Sequence, residues 1–317
     1  MTHDAPGRRV GIDVGGTKAL GVALDLDGRV AAELRRPTPR GDDSLDALID
    51  VLVDLADDLG VDGSLGVGVP GLVTRDGVLR AAPNLDGVAD FAVGPILAER
   101  LGHPVEVDND ATCAAVAEWR LGAAAGSESV LLVTLGTGIG GGLVGTGALQ
   151  RGRNGFAGEF GHMVVDPDGP RCPCGRRGCW ERYASGSGLA MLARDAATGH
   201  RLRLVVERAG GDPQAVRGEH VMAAALDGDP EALAVIDEFA RWVALGLSNL
   251  TNALDPEIIV LGGGLAAGSE VYLEPITRWY TELLYEPDLR PFPRIEFAEW
   301  GPLAGAVGAA LLPTIRT

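Results

Sequence analysis

Hydrophobic alternation predicts three strands at the start of the chain. RVGIDV, ALGVALD and RVAAEL are separated by a Gly-Gly turn and a DLDG turn, which reads as an antiparallel meander from Arg9 to Leu34. The period then changes. In DDSLDALIDVLVDLADDLG, Leu45, Leu48, Ile49, Leu52 and Leu55 fall on one helical face behind acidic residues suited to a helix start. SLGVGVPGLV is a buried strand ending in a Pro-Gly turn, and PVEVDND is a strand that runs into a helix at ATCAAVAEWRLG. SVLLVTLGTGIGGGLVGTGALQRG then repeats the opening theme of strand, glycine-rich turn and return strand, roughly a hundred residues on. Two copies at that spacing indicate a duplicated architecture, not a solenoid. Further along, YASGSGLAMLARDAA predicts a helix and DPEALAVIDEFARWVALGLSNLTNALDP a long one closed by Pro256. EIIVLGGGLA predicts a strand running into glycines, and SEVYLEPITRWYTELLY and GPLAGAVGAALL two more helices.

Composition sharpens this picture. The chain has 317 residues, enough for two domains at roughly 100–200 residues each, joined by short hinges since no low-complexity linker occurs. With 47 glycines and 5% aromatics, the core should be Val, Leu, Ala and Ile between many tight turns. A formal net charge of -17 repels phosphate backbones and anionic lipid, so neither nucleic acid nor membrane is expected as the main partner. No apolar run reaches the length of a membrane span, and the N-terminus shows no secretory pattern, so a cytoplasmic protein is expected. Lys18 is the sole lysine.

Chemistry enters with the glycines. GIDVGGTK and TLGTGIGGG place glycines at strand ends, where backbone N–H groups can approach a phosphate. Either loop alone also fits an ordinary hairpin; Asp13 beside the first, suited to a hydrated Mg²⁺, favours the phosphate reading. TLGTGIGGG contains a loose G-x-G-x-x-G, but a dinucleotide fold needs those glycines to open a helix, and here a return strand follows. LGGGLA, with Gly262, Gly263 and Gly264, would form a third wall of a nucleotide site. In VEVDNDATCAA, Asn109 and Asp110 stand where strand meets helix, placed either to cap that helix or to supply a general base. Cys113 reads as a small core residue.

Three of the four cysteines lie in RCPCGRRGCWE. With His162 they give H-x9-C-x-C-x4-C, a Cys₃His set of Cys172, Cys174, Cys179 and His162 suited to a closed, structural zinc site. A disulfide would leave the third cysteine over, and an iron–sulfur centre seldom takes a histidine.

DVGGTK, LGTGIGGG and LGGGLA, in this order, resemble the ATP-binding elements of the actin-like ATPase superfamily and, more narrowly, of the ROK family of sugar kinases and sugar-responsive repressors. GEFGH followed by CPCGRRGCWERYASG resembles the zinc-containing ROK sugar kinases, those of actinobacterial glucokinase type in particular. The resemblance runs from Val10 to about Leu312 and implies a two-domain α/β fold, ribonuclease H-like, with a nucleotide/sugar cleft. It places residues 1–118 plus 301–317 in a small domain and 119–300 in a large one carrying the zinc loop. It implies Asp13, Gly15, Gly16, Thr17, Lys18, Gly136, Thr137, Gly138, Gly262, Gly263 and Gly264 as the ATP and Mg²⁺ site, and Asp110 as catalytic base. Asn84, Asn109, Asp110, Glu159, His162 and Glu181 would hold the sugar. Thr112 departs from the asparagine usual after Asn-Asp-Ala.

The implied activity is phosphorylation of a hexose 6-hydroxyl by ATP, glucose first, with N-acetylglucosamine, N-acetylmannosamine or fructose as alternatives, in a homodimer or homotetramer. Polyphosphate-using relatives tend to lack the cysteine cluster. A sugar-sensing repressor would need a helix-turn-helix ahead of DVGGTK, for which the chain leaves no room; a silent scaffold would not need Asp13 and Asp110.

Overall fold

In the computed structural model, which describes residues 8–41, 44–82, 85, 87–199 and 201–315, the predicted meander forms. Strands β1 (Arg9–Val14), β2 (Lys18–Leu24) and β3 (Val30–Pro37) pair antiparallel in succession. Helix α1 (Ser44–Leu59) buries Leu48, Ile49, Leu52 and Leu55, as its period dictates, and adds Ala56 and Leu59, whereas Leu45 is only half-buried. Strand β4 (Leu65–Val69) runs parallel to β1, and a short ribbon of β5 (Leu72–Val73) and β6 (Leu79–Ala81) follows. After α2 (Val93–Leu101), β7 (Val105–Asn109) joins parallel to β4 and leads directly into α3 (Asp110–Leu121). The sheet order is β3-β2-β1-β4-β7.

The pattern then restarts with β8 (Val130–Leu135), β9 (Ile139–Gly145) and β10 (Ala148–Leu149). The GIGGG glycines lie within and just before a strand, not at the opening of a helix, so the dinucleotide motif is absent in structure as well. Helices α4 (Glu181–Ala184), α5 (Gly186–Thr198), α6 (Arg203–Arg208), α7 (Gly218–Leu226) and α8 (Pro230–Leu254) precede β11 (Ile258–Gly262), α9 (Ser269–Leu283), β12 (Arg294–Phe297) and α10 (Ala304–Leu311). The second sheet is ordered β10-β9-β8-β11-β12, with β9 and β10 antiparallel and β11 and β12 parallel. Both sheets thus share one order, the duplication the glycine-rich repeats announce. The single helix expected over YASGSGLAMLARDAA is two. Ser185 takes an extended backbone, ends α4, and caps α5 by accepting from the Gly188 N–H.

The chain divides into two compact units, Met1–Leu132 with Gly141–Gly158 and Ala298–Thr317, and Val133–Gly140 with Glu159–Phe297. The expected boundary at residue 118 falls inside α3, and the first unit continues to Leu132.

In the first unit, α10 lies on α3, β1 and β4. A Cβ on Gly66 would stand 1.7 Å from the Ala309 carbonyl oxygen, and one on Gly308 1.6 Å from that of Cys113. Only glycine at both positions lets helix, sheet and helix meet backbone to backbone. Buried Glu118 accepts hydrogen bonds from the N–H groups of Ala123, Glu299 and Trp300, tying the end of α3 to the segment that enters α10. The first unit's core is the aliphatic one that the composition predicts, whereas the second concentrates the few aromatics, with Trp180, Phe239, Tyr272 and Tyr280 fully buried. Among the described residues, no helix is long and apolar enough to cross a membrane.

Candidate active site

Asp13, at the end of β1, is the most perturbed carboxylate in the first unit. Its Oδ1 is buried without a hydrogen-bond partner among the described residues, and a Cβ on Gly305 would stand 2.6 Å from its Cγ. Burial, and secondarily the charge of Asp110, pushes its pKa up to about 7, against the opposing pull of Lys18. A buried carboxylate oxygen with no donor has the chemistry of a cation ligand. Beside it, the Gly15–Lys18 turn closes with the Gly15 N–H donating to the Lys18 carbonyl at 2.9 Å. Thr38 donates through its hydroxyl to Gly15 O (2.7 Å) and through its N–H to Thr17 O (3.1 Å), while Arg40 donates to Gly16 O (3.0 Å). With its carbonyls occupied, the loop presents its N–H side to an anion. Neither Thr38 nor Arg40 was distinguishable in sequence from ordinary turn composition.

At the start of α3 the two candidate roles separate. Asn109 is the cap, its Oδ1 accepting from Ala111 N at 2.9 Å and Thr112 N at 3.1 Å, while its Nδ2 donates to Gly71 O at 3.1 Å. Among the described residues, one amide hydrogen of Asn109 has no hydrogen-bond acceptor. Asp110, one residue on, stands in the first turn and accepts from the Ala111 N–H at 2.8 Å through its Oδ1. Asp108 went unrecognised in the sequence, because alternation in VEVDN groups it with exposed Glu106. It is buried, accepts from Arg151 Nε at 2.6 Å and from Asn109 N at 2.9 Å, and even so has its pKa raised by burial. Buried Cys113 is held as a neutral thiol by burial and by the charges of Asp108, Asp13 and Asp110, consistent with a core residue. Asn84 lies outside the described residues.

In the second unit, the Gly136–Gly138 turn is held by the start of α5: Gly186 N donates to Gly136 O and Ser187 Oγ to Thr137 O, both at 2.7 Å. Gly263, in the left-handed region, would bring a Cβ within 2.7 Å of the Leu135 backbone, so the LGGG turn lies directly against the end of β8. Gly136, Thr137 and Gly264 border one cavity of about 830 Å³.

The same unit gathers the sugar and metal candidates of GEFGH…CWE. The ligand atoms of His162, Cys172, Cys174 and Cys179 lie within 4.8 Å of one another, and all four cysteines of the chain are free thiols. A tetrahedral ion with ligands at about 2.3 Å requires edges of about 3.8 Å. Cys174 and Cys179 Sγ are 3.6 Å apart, and Cys172 Sγ is 3.9 Å from His162 Nδ1, so the set fits such an ion. His162 Nδ1 faces the cysteines, while Nε2 faces Glu159 Oε2 at 3.8 Å. Glu181 Oε1 reaches His162 Nδ1 at 3.7 Å and accepts from the Cys172 thiol at 3.0 Å; its Oε2 would stand 2.8 Å from a Cβ on Gly138. Glu159, His162 and Glu181 thus converge around the metal set. Burial raises the pKa of Glu159, with His162 opposing and Glu181 reinforcing.

The model of the ROK family matches residues 9–315. A glucokinase of Streptomyces coelicolor is 36% identical over 310 residues, covering 96% of each chain. An N-acetyl-D-glucosamine kinase of Pectobacterium atrosepticum is 37% identical over 315 residues, covering 95% of this chain and 97% of its own. Among solved structures, a ROK family glucokinase from Streptomyces griseus in complex with glucose and AMPPNP superimposes with a TM-score of 0.84 at 36% identity, covering 96% of this chain and 99% of that one. The fold is accordingly that of the two-domain actin-like ATPases.

Proposed function

The chain belongs to the ROK family, and from that membership we infer that it is a hexose kinase, transferring the terminal phosphoryl group of ATP to the 6-hydroxyl of glucose. The observation that carries the reading at residue level is the placement of Asn109 and Asp110 at the β7–α3 junction. Asn109 caps α3 through Ala111 and Thr112, and the Asp110 carboxylate, which accepts from the Ala111 N–H, is held in the first turn, where we assign it the role of base. Phosphoryl transfer needs little covalent help from a protein; it needs a hydroxyl held in line, a group to take its proton, and compensation of phosphate charge. Asp110 accepts the proton as the oxygen attacks. In the second unit Glu159, Glu181 and His162 are assigned to sugar hydroxyls, and in the first Asn109 is assigned the same task. Asp13 would hold Mg²⁺, which supplies charge neutralisation at the phosphates. In the second unit, Gly136, Thr137 and Gly264 border the cavity we assign to the nucleotide; in the first, the Gly15–Lys18 turn offers backbone N–H groups to phosphate.

We assign zinc to the Cys₃His set, as a structural ion that fixes the loop bearing Glu159, His162 and Glu181. Cys174→Ser is expected to abolish stoichiometric zinc in elemental analysis and to raise the KM for sugar by at least about 10-fold. A fully active protein without metal would refute the assignment.

The N-acetyl-D-glucosamine kinase at 37% identity favours a second reading of the same site, with the N-acetyl sugar as acceptor. ADP release with Mg-ATP across glucose, mannose, fructose, N-acetylglucosamine and N-acetylmannosamine decides between them. Glucose is expected to give the highest kcat/KM; an N-acetyl sugar in that place moves the substrate assignment, and no turnover by zinc-loaded protein on any of them defeats the kinase reading.

A further inference from the structure

Tyr272, on α9, is 2% exposed, yet its hydroxyl makes no hydrogen bond among the described residues. Its ring is held edge-on by Phe239 at 5.8 Å between centroids, and on another side Met222 and Tyr272 crowd Gly268 so closely that a Cβ there would stand 2.4 Å from Met222 Sδ and 2.8 Å from Tyr272 Cε2. The residue borders the 830 Å³ cavity together with Met222, Leu265 and Ala190, an apolar stretch of wall, while Gly136 and Thr137 border the same cavity. Arg182 borders it too, and its Nε is likewise buried without a partner. A buried hydroxyl without a partner costs stability, so two orphaned polar atoms on one cavity indicate a ligand with polar groups to meet them. Burial holds the tyrosine far above its ordinary pKa, so the hydroxyl stays protonated and can both donate and accept.

We propose that the Tyr272 hydroxyl hydrogen-bonds the nucleobase of the phosphoryl donor, so that the protein selects a nucleoside triphosphate over a phosphate chain that carries no base. The inference rests on the reading that this cavity takes ATP. The apolar stretch of Ala190, Met222 and Leu265 accommodates the planar base, while Arg182, Arg194 and Arg217 on the same cavity can meet phosphates; a phosphate chain alone leaves that stretch and the tyrosine unused. A neutral hydrogen bond gives a base-edge contact without the desolvation cost of a buried charge.

The test compares the unmodified protein with Tyr272→Phe, titrating each with ATP and with ribose 5-triphosphate, which lacks the base. The variant is expected to bind ATP about 2- to 12-fold more weakly, the range of one hydrogen bond to a neutral partner, and ribose 5-triphosphate unchanged. Its ligand-free Tm is expected to equal or exceed that of the unmodified protein, because an unpaired buried hydroxyl has been removed. Unchanged ATP affinity, equal weakening of both ligands, or a lowered ligand-free Tm would each overturn the assignment. Failure of the unmodified protein to bind ATP would instead overturn the underlying placement of the nucleotide, a result distinguishable from the others.

Discussion

Asp110→Asn is expected to lower kcat by about 10²–10⁴ while sugar affinity changes little. Asparagine keeps the size and the hydrogen-bonding reach of the side chain, and Asn109 continues to cap α3 through Ala111 and Thr112, so the fold has no reason to change. What disappears is the only property the substitution targets, the ability to accept a proton from the attacking hydroxyl. Initial rates measured at saturating sugar, together with sugar binding by calorimetry, separate the two. Near-normal turnover would mean that the carboxylate is not the base. A loss of sugar affinity with kcat intact would make Asp110 an orienting group.

Asp13→Asn is expected to trade stability for activity. Turnover with Mg-ATP falls by at least about 10²-fold, since a carboxylate that anchors the cation is worth several kcal/mol of charge stabilisation. Stability moves the other way. The native carboxyl, with its pKa raised to about 7, binds a proton more tightly than in the unfolded chain, whose reference value is 3.8. Between those values the native state carries the extra proton, so stability falls as pH rises from about 4 to about 7, and the full cost remains above that. For a group with a buried, unpartnered oxygen this cost is of the order of 2–4 kcal/mol. Asparagine escapes it. The variant should therefore melt several degrees higher at pH 8 and at the same temperature near pH 4. A variant less stable than its parent at pH 8 would show that the Asp13 charge is satisfied by the fold and is not kept in reserve for a ligand.

Motifs with local spacing were legible in the sequence; pairings across long separations were not. H-x9-C-x-C-x4-C gives the metal set directly, because all four ligands belong to one loop. The strand–glycine–strand repeats give the duplicated sheet order, since hydrophobic period and turn composition are local quantities. Arg151 and Asp108 are 43 residues apart, and Glu118 reaches N–H groups 181 and 182 residues on; nothing near any of these residues marks its partner. Asp108 was hidden for a second reason, since strand alternation assigns it to the exposed face, whereas the Arg151 guanidinium and the Asn109 N–H make its burial tolerable. Ser185 shows a local rule read too coarsely. Ser185, standing just before Gly-Ser-Gly, is a favoured N-cap residue, and that cap outweighed the apolar period that joined α4 to α5.

The glycine-lined seat of α10 has a consequence for synthesis on the ribosome. β1 and β4 are among the first strands made, but the helix that covers Gly11 and Gly66 is encoded after residues 159–297, which build the other unit. At about 5–20 residues per second, the early sheet waits roughly ten to fifty seconds for the helix that covers Gly11 and Gly66. The second unit has no such wait, because most of it is one continuous segment. The nascent chain therefore completes its later half first and its earlier half last, and the interval before α10 emerges is when the aliphatic sheet is most open to a chaperone or to another unfinished chain.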